Sequence, residues 1–323
     1  MNNRFLIMSV LPGVLAAWLF IAPLWTGVFG AFASIFTAFP LFISVLGFGT
    51  LAGLISGATA AVIVTLLVGP LQAASLLCFT LGPALWIGYL VGLTRQEGDD
   101  QPAEWYPLDR ILMWLAGISA GLTIFAGLVG GLNGATIRAV IDNMASQVAA
   151  IQASTGASNA LTVQQVDEMA AQVAYAVPFA IPASLFVLLG VNLILAEKYV
   201  RARGWMLRPK DNLVADMSLP IAAVAFFAAG VLASFAGGSL GLLGNVTAGA
   251  FGAALAVVGL AVVHTVSMPW PGRSVLLTIT YFALLISGLM RIGVIMIGLV
   301  DTIFGLRKVF ATRSNNSNNN PNE

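Results

Sequence analysis

Residues 5–94 contain no Asp, Glu, Lys, Arg or His, and a water-soluble domain cannot keep so long a stretch free of solvated charge. A bilayer-spanning helix takes about 20 apolar residues, so this stretch holds roughly four crossings. Charged residues are scarce throughout: 8% of the 323-residue chain against 59% hydrophobic residues, with mean hydropathy +0.94, where a soluble domain carries about 25% charge. A water-exposed fold is thereby excluded. Backbone polar groups in hydrocarbon must be satisfied internally, and long apolar runs without period-two alternation select helices over a closed barrel.

Other absences narrow the chemistry. Cys78 is the single cysteine and His264 the single histidine, so no intrachain disulfide is available, no usual metal-ligand set can be assembled, and no metal or cofactor is expected. Net charge is +1 without a long basic stretch, which argues against a nucleic-acid partner. No glycine-rich loop ends in Lys198, Lys210 or Lys308, so the chain is not expected to hydrolyse ATP by itself. The apolar run after Arg4 continues past any small-x-small cleavage site and reads as an uncleaved first span.

What is present is an all-α polytopic transmembrane helix bundle, assigned to residues 1–310. Polar and Pro/Gly breaks place spans near 5–25, 27–42, 44–68, 71–93, 109–131, 175–196, 217–237 and 243–266. Residues 274–304 are either one long helix or two short ones turning near Arg291. With the N-terminus in the cytoplasm and the hairpin alternative, 12 of the 14 Lys and Arg fall on the cytoplasmic side, as the positive-inside tendency favours. That gives about ten segments, within a range of eight to ten. Between the fifth and sixth, residues 132–174 read as an external amphipathic hairpin. Ile137, Ile141, Met144, Val148 and Ile151 make one stripe, and Val163, Val166, Met169 and Val173 a second, with Thr162 and Gln165 at capping-box spacing. Such a hairpin is a structural cap or a lid over a solute site. The asparagine-rich stretch 311–323 has nothing to bury and is expected to be disordered.

Several residues stand out against the apolar background. Gly49, Gly53, Gly57 and then Ala61 recur every fourth position, flattening one helix face for close packing within the bundle or between subunits. Gly117, Ser119 and Gly121 match the G-x-S-x-G pattern of serine hydrolases, but that motif needs a strand-to-helix turn and here lies in an uninterrupted apolar helix. Ser119 is therefore expected to pack in the bundle and His264 to sit near the cytoplasmic interface, and the chain is read as non-enzymatic. Charges at mid-bilayer cost about 2.5–3.5 kcal/mol on insertion scales, which singles out Arg291 and Asp301. Arg291 either snorkels at a helix end or pairs within the bundle. Asp301, six residues before Arg307, either pairs with a nearby arginine or caps a neighbouring helix, and that ending is structural or docks a partner. Asn192 is expected to hydrogen-bond across helices or to touch a ligand, and Trp86 and Tyr89 are further ligand candidates.

The ending Gly298-Leu-Val-Asp301-Thr-Ile-Phe304-Gly-Leu-Arg307 resembles the closing motif of the YybS-like family, a group of bacterial multi-pass membrane proteins of unknown function. Pro40 leading into Gly47-Phe-Gly49, Trp105-Tyr-Pro107, Asn192-Leu-Ile-Leu-Ala196, Leu207-Arg208-Pro209, and His264 ahead of Tyr281 fit the same pattern, over about residues 5–310. That family is similar in outline to the substrate-binding components of energy-coupling-factor vitamin transporters and to the rod-shape protein MreD. The resemblance implies a bacterial inner-membrane bundle around a solute cavity, acting as a solute-binding or transport-associated subunit, or alternatively a non-catalytic scaffold of a membrane complex. Its partners would be the lipid bilayer, a small solute, and a membrane protein or second copy. Those vitamin-binding components dock through Ala-x-x-x-Ala on the first helix. Here only Gly13-x-x-x-Ala17 is found.

Overall fold

The computed structural model describes residues 3–96, 103–130, 163–211 and 217–307, together with positions 142 and 146. Within them the chain is a helical bundle: α1 Asn3–Thr26, α2 Val28–Ser34, α3 Ala38–Phe48, α4 Thr50–Leu67, α5 Pro70–Leu76, a π-turn Leu77–Leu81, and α6 Gly82–Gly92. After a two-residue β-hairpin, Thr94–Arg95 with Glu104–Trp105, follow α7 Leu108–Gly130, α8 Val163–Ala202, α9 Ile221–Ser234, α10 Gly238–Val266, α11 Arg273–Ile286 and α12 Gly288–Phe304. Phe29, Leu66, Leu128 and Leu285 are 84, 79, 80 and 81% exposed. Large apolar side chains turned outward on helices throughout the bundle are what hydrocarbon solvent permits and water does not.

The ten segments read from the sequence correspond to α1, α2–α3, α4, α5–α6, α7, α8, α9, α10, α11 and α12. Among the described residues seven helical stretches are long and apolar enough to cross a membrane, and an eighth if α11 and α12 count as one bent span. These two arms meet at 117°, with the break at Ser287 rather than Arg291. The Ser287 hydroxyl accepts the Met290 N–H at 3.3 Å and caps α12. The α9 segment is shorter than the expected 217–237. Extended Pro220 precedes it, and Gly237 and Gly238, at φ +68° and +55°, end the following turn.

Two other boundaries also move. The second and third spans separate at Gly49, not at 42–44: Pro40 sits in the first turn of α3, where its missing N–H has no helical partner to lose, and the chain reverses on Gly49 at φ +86°. The second arm of the expected hairpin is no separate helix, since α8 runs unbroken for 40 residues from Val163. Its other arm and Thr162 lie outside the described residues, as do residues 311–323.

The α5–α6 span contains the π-turn because Pro83, just beyond it, has no N–H to give to the ladder. Gly82 N–H instead reaches Leu77 O, a five-residue step. The centre of the molecule is α10, which packs against α7, α8, α9 and α12 through glycines on different faces. A Cβ on Gly244 would lie 2.7 Å from Gly230 O on α9, one on Gly249 3.0 Å from Phe179 Cα on α8, and one on Gly259 3.0 Å from Gly298 N on α12. Lipid tails are as apolar as leucine, so such backbone approach and the dispersion it gains replace hydrophobic attraction as the cohesive force. A second knot joins the N-terminal helices. The fully buried Ser56 hydroxyl meets Ser44 Oγ at 2.8 Å and Ser9 O, and a Cβ on Gly13 would lie 2.8 Å from Thr59 Cβ.

Candidate functional site: a lateral apolar groove beside the loop into α9

Two arginines organise the loop between α8 and α9. Arg208, 5% exposed, donates Nε to Asp211 Oδ2 at 2.8 Å and Nη1 to Tyr106 O at 2.9 Å. Arg201, paired with Glu197 at 2.6 Å, donates to Arg208 O at 2.9 Å. At the chain's other end Arg307 donates Nε and Nη2 to Asp301 Oδ2 at 2.9 and 2.8 Å, and its backbone N–H to Oδ1 at 3.0 Å. Left-handed Gly305, at φ +65°, turns the chain back after α12 so that this arginine reaches the carboxylate. The same guanidinium also meets Met217 O. The loop leading into α9 is thus held by charge-assisted bonds from both sides, each stronger than a neutral one.

Beside this loop, α7, α9 and α10 leave a groove of about 580 Å³. Its walls are Met113, Trp114, Gly117, Ala120, Gly121 and Ile124 from α7, Pro220 and Phe226 ahead of and on α9, and Thr247 and Phe251 from α10, with Tyr106 and Arg110 at one end. Phe226 and Phe251 stack at 5.0 Å. Trp114 Nε1 donates to Tyr106 OH at 3.2 Å, fixing the indole at the rim. A Cβ on Gly117 or Gly121 would meet nothing within 4 Å. These two positions are exposed, unlike the contact glycines of α10. Trp114 and Phe226 are 44 and 48% exposed, so the groove opens sideways to the surroundings of the bundle. Its lining is apolar apart from Tyr106 and Arg110 at one end and Thr247, whose hydroxyl donates to Leu243 O, the arrangement expected of a pocket for a mostly apolar ligand.

Trp86 and Tyr89 lie on α6 one ring behind the groove: Trp86 packs on Trp114 with centroids 5.2 Å apart and on Tyr89 at 6.2 Å. Asn192 is fully buried and donates Nδ2 to Ile35 O at 2.9 Å and Leu188 O at 2.8 Å. It thereby joins α8 to the turn between α2 and α3, while its Oδ1 has no partner among the described residues. His264 Nε2 lies 2.9 Å from Tyr281 OH, with Arg273 beside Nδ1 at 3.5 Å. Ser119 donates instead to Leu115 O at 2.8 Å, and no hydrogen bond joins it to the imidazole. Arg291 is exposed in the first turn of α12, without an ion-pair partner among the described residues. Gly53 and Gly57 contact the α5–α6 side, through Leu85 and Leu81. Gly49 does not share their face, because it forms the turn before α4 and nothing lies within 4 Å of its would-be Cβ.

Sequence reasoning missed Trp114, Arg110 and Arg208 as site residues. The available signal was Trp105-Tyr-Pro107 and Leu207-Arg208-Pro209, two motifs far apart in the chain whose Tyr106 and Arg208 turn out to be bonded.

A family model described as "Predicted membrane protein (DUF2232)" matches residues 14–302. No curated protein and no solved structure matches the chain. A polytopic helical bundle matched over nearly its whole length places this chain in the DUF2232 family of predicted membrane proteins.

Proposed function

We propose that this chain is a membrane-embedded subunit that binds a small apolar or amphiphilic solute, in the manner of a transporter's substrate-binding component, without enzymatic activity or an ATPase of its own. The groove of about 580 Å³ between α7, α9 and α10 supports this reading, because its size lies within the 300–1,000 Å³ usual for ligand pockets. The YybS-like resemblance, with its outline of vitamin-binding components, agrees with it. The bacterial inner membrane, with a cytoplasmic N-terminus, is the proposed setting. Docking to an ATP-driven partner through the first helix is not part of the proposal, since Ala16 and Ala17 are fully buried and Gly13 packs on α4.

The test is chemical: protein purified in mild detergent is extracted with organic solvent and the released molecules are identified by mass spectrometry. A stoichiometric apolar compound other than detergent is expected. Its absence, combined with no thermal shift across a panel of lipophilic metabolites, overturns the reading.

A scaffold role is favoured by one observation. Most side chains of α11 are exposed, including Val275, Ile279, Phe282, Leu285 and Ile286 at 59–81%, a surface that a partner's helix would fit. Recovery of a lone monomer in mild detergent counts against it.

A further inference from the structure

We infer that the groove holds the acyl chain of an anionic phospholipid, with the headgroup phosphate on Arg110. This rests on the solute-binding reading and names the ligand class.

Three observations carry it. First, the groove runs alongside α7 from Arg110 to Ile124, about 21 Å at the helical rise, so a ligand in it lies across the bilayer in the direction of a lipid tail. Second, the groove is elongated, apolar and open along its side, where Trp114 and Phe226 are half exposed, so an extended hydrocarbon chain can enter it laterally from the surrounding lipid. Third, its polarity is one-sided. The walls are Trp114, Gly117, Gly121, Phe226 and Phe251, while the end near the polar β-hairpin carries the exposed Arg110, whose guanidinium has no acidic partner among the described residues. An unpaired cation beside an apolar slot is complementary to a phosphate that trails a hydrocarbon tail, and basic sites between helices on the cytoplasmic face are where anionic headgroups collect. The Trp114 indole, tied to Tyr106, marks the depth of the headgroup boundary.

The full-length protein is reconstituted in nanodiscs of equal phosphatidylglycerol and phosphatidylcholine, and retained lipid is counted by native mass spectrometry. Wild type is expected to keep one or more lipids with phosphatidylglycerol enriched. Gly117→Leu, which fills open space, is expected to lose them while keeping the wild-type helical circular dichroism; Gly121→Leu is the second variant should the first fail to fold. Arg110→Gln is expected to keep lipid but lose about fivefold of the phosphatidylglycerol preference, as about one basic residue's share of surface attraction requires. Unchanged preference in Arg110→Gln overturns the headgroup assignment while leaving a groove ligand standing. Lipid retained in full by both leucine variants overturns the inference. A non-lipid solute released by Gly117→Leu overturns it too, but upholds the broader reading.

Discussion

Asp301 and Arg307 have side chains 4 and 10% exposed, so neither charge is solvated and each depends on the other. Removing one partner of a buried pair costs about 3–5 kcal/mol, whereas replacing both with apolar groups is often neutral. Arg307→Met should therefore lower the unfolding midpoint in detergent sharply, and Asp301→Leu with Arg307→Met should recover most of the loss. A double variant no better than the single one would mean that Arg307 acts through contacts other than the carboxylate, such as that to Met217 O. Arg208→Met should behave like the single Arg307 variant, since it abandons Asp211 and Tyr106 O together. The first pair was legible in the sequence because an acid among apolar residues has few explanations. Arg208 was not, since a buried loop arginine reads like any other member of a cytoplasmic basic cluster until the fold closes over it.

Helix ends in this chain are legible where charge marks them and obscure where it does not. The start of α7, beside Asp109 and Arg110, falls within a residue of its expected position, whereas α8 runs on past the expected end at 196 to Ala202. The α3–α4 reversal consists of Gly49 alone within apolar sequence, and nothing polar signals it. A side chain at φ +86° is strained, so Gly49→Val should cost about 1–3 kcal/mol, read as a lower melting midpoint. Glycines also differ in kind in a way that spacing alone cannot reveal. Gly259 and Gly298 sit backbone to backbone, where added bulk forces α10 and α12 apart; Gly117 and Gly121 face open space. Gly259→Leu should destabilise by at least the 1–3 kcal/mol typical of overpacking, while Gly117→Leu, measured in lipid-free detergent, carries no overpacking cost. Equal effects of the two would contradict this assignment of contacts.

For the molecule as a whole, the excess of Lys and Arg in alternate loops predicts an orientation that can be checked directly. Reporters inserted after Pro209 and after Ser158 should register opposite compartments, with the former matching the N-terminus; the same compartment for both would overturn the reading. The bundle itself was evident from composition, because hydrocarbon leaves few backbone solutions. The groove was invisible, because it lies between α7 and two helices, α9 and α10, about a hundred residues further along, and no local pattern records a gap between distant elements.

The π-turn at Leu77–Leu81 stores one residue more than a regular ladder needs. Excising Cys78 would shorten the five-residue step from Gly82 to Leu77 to the ordinary four and leave α6 in phase, whereas a deletion inside any unbroken helix rotates everything after it by about 100°. This span is therefore the one place among the described helices where the gene can lose a codon without turning Trp86 and Tyr89 away from Trp114, and where length variation between natural copies would be tolerated.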